Sequence, residues 1–191
     1  MPALDLIDHI RLDKSVVALI ESMPALTLNL ESASDDTSLQ VRSVIKQMHL
    51  EGTCAEAGLW LLARQWDRSH QISQDQHNPD GSYWHGIMHR IEGDYWNSKY
   101  WLRQTSKHPV RIQLVKAIGQ RADQLIQSEK SSLGSSIPDL TLLNSPETVA
   151  EGLVDLVEKA LAKQTGWSRL AEQICWWEWQ LLFQYSLTGQ V

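Results

Sequence analysis

The sequence predicts an all-α domain assembled from packed helical hairpins, about seven or eight helices in all, and three observations carry that expectation. Apolar residues recur at helical spacing along most of the 191 residues, most plainly at Val41, Val44, Ile45 and Met48, which fall at i, i+3, i+4 and i+7. Alternation of the kind that marks a strand is confined to residues 25–36, where it is brief, has no partner strand in view and fades into a polar linker. A faint internal repeat also runs through the middle of the chain. Gly58, Trp66, Ser69, His70 and Gln74 are answered by Gly86, Tyr95, Ser98, Lys99 and Arg103 roughly 28 or 29 residues later, a period at which helical hairpins stack.

Taken in order, the first helix is expected over residues 4–21, with a break near Asp13 and an end at Pro24. A second follows the linker over 38–50 and stops at Gly52. Residues 53–76 have Leu59, Leu62, Trp66 and Ile72 near one face and can be read as one long helix; the repeat favours two. The turn at Asp80, Gly81 and Ser82 opens a helix over 81–92, Gly93-Asp94-Tyr95 turns the chain, and Pro109 closes the next helix. Val110, Leu114, Ala117, Ile118, Leu125 and Ile126 then carry a helix to about 129, and the Ser-, Gly- and Pro-bearing stretch 131–145 is expected to be loop. Ser145, Pro146 and Glu147 read as cap, first-turn proline and first-turn acid of a helix running to Lys163, with a break at Gly166. The last helix, 168–187, has so broad an apolar surface that it must pack on more than one side. Glu178 lies between its tryptophans and needs a partner if buried.

Composition narrows the class of function. With 42% hydrophobic residues the chain can bury one sizeable core, so residues 1–191 are expected to form a single domain with the hairpins of 53–109 at its centre. The formal charge of −6 has the wrong sign for a nucleic-acid backbone partner. No apolar run approaches the ~20 residues of a membrane span, and the N-terminus lacks the basic and apolar regions of a targeting segment. Cys54 and Cys175 are far apart with no ligand-spaced partner, which reads as two buried thiols in a reducing, cytoplasmic setting.

The chemistry is concentrated between Asp80 and Pro109, which hold three of the seven histidines, three of the nine tryptophans and three of the four tyrosines. On the expected helix, His85 and His89 stand at i and i+4, and Glu92 follows a turn later, so two imidazoles and a carboxylate can reach one divalent metal ion. Asp67 and His70, one turn apart on the preceding helix, complete that set if the hairpin folds back. Arg90, Asp94, Lys99, Arg103 and Glu178 are the candidates for holding a small polar ligand: Lys99 and Arg103 are i, i+4 neighbours beside the exposed amides of the Gly93 turn. The competing reading makes structural salt bridges of Arg90 and Lys99 with Glu92, Asp94 or Asp67. His9, His49, His77 and His108 have no second ligand nearby and read as surface or loop residues. Neither a phosphate-binding glycine loop nor a Gly-x-Ser-x-Gly elbow is present, so nucleophilic catalysis is not indicated.

Two resemblances follow from these residues. The run GIMHRIEGDYWNSKYWLRQTSKHP is similar to the second half of a tetratricopeptide unit, with Gly86 and Ser98 at the small positions where two helices approach, Gly93-Asp94-Tyr95 at the turn and Pro109 at the close; it implies α-hairpin geometry. The blocks WDRSHQISQ, DGSYWHGIMHRIEGDYWNSKYWLRQ and EWQLLF resemble the signature of an uncharacterised family of bacterial and fungal proteins, which implies no chemistry. Two functions therefore stand side by side: a pocket that holds a metal ion or small polar ligand, and an interaction scaffold that binds a protein partner or a second copy through exposed tryptophans.

Overall fold

The computed structural model describes residues 4–7, 12–23, 35–128, 140–163 and 167–190. Among them are nine α-helices, one 3-10 turn at Thr141–Leu143 and no strand. The helices are α1 Lys14–Ser22, α2 Asp35–Gln47, α3 Cys54–Leu62, α4 Trp66–Asp75, α5 Pro79–Glu92, α6 Tyr95–Arg103, α7 Pro109–Ser128, α8 Val149–Lys163 and α9 Trp167–Thr188. The expected linker alternation, most of the 131–145 loop, the breaks at Pro24 and Gly166, and His9 lie outside the described residues.

The expected helix over 4–21 is shorter at its start. Asp13 does not interrupt it but caps α1, its carboxylate accepting from the Ser15 amide at 2.8 Å, while residues 4–7 are not helical. The 53–76 run is two helices, as the repeat indicated. Thr53 caps α3 through the Glu56 amide, and α3 ends at Ala63 before Arg64 turns at positive φ. Asn78, rather than the Asp80-Gly81-Ser82 turn, caps α5: its side chain accepts from the Gly81 amide at 2.8 Å, with Pro79 at the first helical position. Gly93, at φ +81°, supplies the left-handed closure of α5, and Asp94 begins α6 by accepting from the Asn97 amide. Ser145 hydrogen-bonds the Glu147 amide, and the turn it starts leads directly into α8.

Both central hairpins are fastened the same way, which gives the sequence repeat its physical meaning. The buried Ser69 hydroxyl on α4 donates to the Ala57 carbonyl on α3 at 2.9 Å, and the buried Ser98 hydroxyl on α6 donates to the Gly86 carbonyl on α5 at 2.7 Å. A small residue is needed on the first helix of each pair. A Cβ on Gly86 would come within 2.7 Å of Leu102, and one on Gly58 within 2.7 Å of the Trp84 ring.

Every residue of α9 from Ile174 to Gln184 is buried, so this helix is enclosed by its neighbours, as its broad apolar surface foretold. It lies against α3, α7 and α8, and the Trp179 indole donates to the Gly58 carbonyl at 3.1 Å. The Trp84 indole donates to Ser186 at 3.0 Å, so α5 also touches α9 at its far end. Apolar side chains from Ile7 to Phe183 join in one continuous core. None of the described helices is long and apolar enough to cross a membrane.

These contacts set apart two helical glycines. Gly86→Ala must displace the fully buried Leu102 and should lower unfolding free energy by about 1–3 kcal/mol. Gly119→Ala, at an exposed position of α7, meets nothing within 4 Å and should leave stability unchanged or raise it by about 0.5–1 kcal/mol. Urea denaturation of the two variants checks this; equal losses would contradict the close approach at Gly86.

Candidate metal centre

Three imidazoles meet between α4, α5 and α6. His85 and His89 project from the same side of α5 at i and i+4, and their Nε2 atoms lie 2.9 Å apart, so one ring donates to the other. His70 comes from α4, its ring centroid 4.7 Å from that of His85 and 5.1 Å from that of His89. One ligand nitrogen from each of the three lies within 4.8 Å of the others. The serine fastenings put them there: Ser69 immediately precedes His70, and Ser98 immediately follows Asn97, whose side-chain amide is 3.2 Å from His89 Nε2.

Neighbours hold the rings in place. Trp101 of α6 stacks on His85 with centroids 4.3 Å apart and planes tilted by 24°. Glu92 approaches Nδ1 of His89 at 3.4 Å, a position from which it orients the ring. Burial, followed by the nearby His89 and His70, pushes the His85 pKa down to about 3, and burial with His70 lowers His89 as well. Both rings are therefore neutral at pH 7, the form in which imidazole offers a lone pair.

The other expected site residues are placed as follows. Asp67 is exposed on the first turn of α4 and is not part of the imidazole group, and Glu92 stands beside that group without belonging to it. Of Arg90, Asp94, Lys99, Arg103 and Glu178, only Arg90 and Glu178 meet, and the five do not converge on one site. Arg90 and Glu178 form a buried ion pair between α5 and α9, Lys99 pairs with Asp155 of α8, Asp94 caps α6, and Arg103 is exposed at the end of α6. The salt-bridge partners expected from nearby sequence are thus replaced by distant ones, because α5 and α6 each turn one flank towards the C-terminal helices.

Two buried polar residues escaped sequence reasoning. His108 lies in the connection between α6 and α7, as expected, but is buried rather than at the surface: its Nε2 is 3.0 Å from the Asp80 carboxylate, and its Nδ1 accepts from the Val110 amide at 3.3 Å, tying the start of α7 to the first turn of α5. Arg111, fully buried, donates to Glu151 at 2.9 Å and to the Pro146 and Glu147 carbonyls, joining α7 to the start of α8. Arg111 falls in the stripe continued by Leu114 and Ile118, and that spacing was the available signal. Burial pushes the Cys54 thiol to about 11 and Cys175 to about 12, so neither free thiol offers a thiolate at neutral pH.

No known protein family, curated protein or solved structure matches this chain. The imidazole cluster and its surroundings are therefore the basis for assigning a function.

The lowered pKa values fix a pH dependence. Unfolded histidines take up protons near pH 6.5, whereas folded His85 resists protonation until about 3, so stability is whole above 6.5 and declines as pH falls towards 3. In metal-free protein, the decline in melting temperature between pH 7 and 4 should be shallower for His85→Gln than for the parent; parallel declines would contradict it. The ion pair makes a second prediction. Arg90→Met or Glu178→Leu alone strands a buried charge and should cost about 3–5 kcal/mol, while the double variant should recover most of that loss in denaturant unfolding.

Proposed function

We propose that the protein binds one divalent transition-metal ion through His70, His85 and His89, with at least one coordination position left for water or a small polar ligand. The observation that carries this reading is the convergence of three imidazole nitrogens within 4.8 Å, His85 and His89 being buried. A tetrahedral ion with bonds of 2.0–2.1 Å needs its nitrogens about 3.3 Å apart. The 2.9 Å between His85 and His89 and the upper limit of 4.8 Å bracket that spacing, so small ring rotations suffice. Neutral imidazoles favour zinc, nickel, copper or iron over magnesium or calcium.

Three histidines with an open position make the donor set of a catalytic rather than a structural zinc site. An ion held this way polarises a bound oxygen and lowers the pKa of bound water, which makes metal-assisted hydrolysis or hydration the reaction class we assign. Glu92 and Asn97 flank His89, and Trp101 walls one side. Two buried free thiols fit a reducing compartment, and on that ground we place the protein in the cytoplasm.

One observation favours the second reading, an interaction surface. Trp96 is 76% exposed and Tyr100 50% exposed, and their rings stack on the outer face of α6. Against a scaffold built on aromatics, Trp60, Trp84, Trp167, Trp176, Trp177 and Trp179 are all core residues. If Trp96 mediates self-association, sedimentation will show a dimer that Trp96→Ser dissociates.

Protein purified without chelator should carry close to one equivalent of metal by elemental analysis, and His85→Ala with His89→Ala should remove it. Zinc or cobalt at ~100 times its dissociation constant should raise the melting temperature of stripped protein by about 5–10 °C. Absence of metal together with no stabilisation by zinc, cobalt, nickel or iron(II) would overturn the proposal.

A further inference from the structure

The helices that carry the imidazoles also wall a cleft beside them. His70 of α4 is followed one turn later by Gln74, His85 of α5 is preceded one turn earlier by Ser82, and Trp101 of α6 is followed one turn later by Gln104; Gln74, Ser82, Trp101 and Gln104 line one cavity of about 360 Å³. Trp101 belongs to both places, since the same indole that borders the cleft stacks on His85. A molecule lying in the cleft is therefore separated from the imidazole cluster by a single ring.

The wall is chemically uniform. Among the described residues that line it, the polar side chains are amides, a hydroxyl and the imidazole of His77, the sole titratable group, and none is a lysine, arginine, aspartate or glutamate. Some of these amides are committed to the fold: Gln76 donates to the Gly52 carbonyl at 2.8 Å, and Asn78 accepts from the Gly81 amide. Gln74, Gln104 and Ser82 have no side-chain hydrogen bond to another described residue, so each can face a ligand. Primary amides both donate and accept, which suits ligand hydroxyls and amides equally, whereas an ionic ligand would lose water and gain no counter-charge. An indole face gives such a ligand an apolar surface to lie on. The volume falls within the range of small-molecule sites and accommodates one or two sugar-sized rings. A second cavity of about 240 Å³ shares Pro79 and Gln104 with the first but is lined also by Asp80 and Lys107, so the uncharged wall belongs to the first cavity.

We infer that this cleft binds an uncharged, hydroxyl- and amide-bearing molecule, laid against Trp101 and presented by it to the three-histidine centre. The binding half of the inference is independent of any metal; the presenting half rests on the function proposed above.

Three probes of matched size separate the chemistry: neutral N-acetylglucosamine, cationic glucosamine and anionic gluconate. In saturation-transfer NMR on chelator-treated protein, N-acetylglucosamine should bind and the charged pair should bind at least about tenfold more weakly. Trp101→Ala should weaken N-acetylglucosamine by about tenfold. Gln104→Glu, at an exposed position that leaves the core intact, should reverse the order in favour of glucosamine. Binding of a charged probe as strong as that of the neutral one, no binding of any of the three, or an unchanged order in Gln104→Glu would overturn the inference. Cobalt then tests the presenting half: with the cleft occupied, cobalt should broaden the sugar protons, and His85→Ala with His89→Ala should abolish the effect. Binding without broadening would leave the cleft standing and sink the adjacent metal centre; cobalt uptake without sugar binding would do the reverse.

Discussion

The buried pair between Arg90 and Glu178 fixes the rotation of α5, and the site follows from that rotation. Both side chains are almost wholly withdrawn from solvent, one on α5 and the other in the middle of the enclosed α9. A charge so placed is tolerated only opposite its counter-charge. Because successive residues on a helix are offset by about 100°, turning Arg90 towards α9 sends His85 and His89 roughly a third of a turn away, into the space between α4 and α6. The guanidinium Nε and Nη1 and the Glu178 Oε1 have no hydrogen-bond partner among the described residues, so the pair is an expensive way to gain stability and a direct way to specify orientation.

The rest of the architecture converts that rotation into geometry. Ser69 and Ser98 draw α4 onto α3 and α6 onto α5; Ser69 stands next in sequence to His70, and Ser98 next to Asn97, whose amide meets His89. His108 and Asp80 hold the opening turn of α5 against α7, while Lys99 and Asp155 brace α6 from the side of α8. Stacking of Trp101 on His85 does two jobs, since the ring is at once the support of an imidazole and the edge of a cleft. The proposed ligand site and the proposed metal centre thereby share one side chain.

Local rules carried the sequence reading as far as they reach. Helical periodicity found α2 and α7, and the serine and glycine repeat found the paired hairpins. The i, i+4 spacing found His85 and His89, and the hairpin fold-back brought in His70. Partners far apart in sequence were illegible: nothing near Glu178 points to Arg90, and nothing near Lys99 points to Asp155, because those pairings depend on how helices cross. The same blindness hid the burial of His108, a loop residue that caps one helix and binds another. The amide-lined cleft was invisible for a related reason. Glutamines at helix ends have no pattern of their own, and Gln74, Gln104 and Ser82 become a wall only when three helices end side by side.

X-ray absorption at the edge of the bound metal tests most directly whether His70, His85 and His89 bind one ion together. Zinc-loaded protein should show three imidazole nitrogens at about 2.0–2.1 Å with one further light-atom neighbour. A spectrum with oxygen neighbours only, or one unchanged when His70 is replaced by alanine, would contradict it.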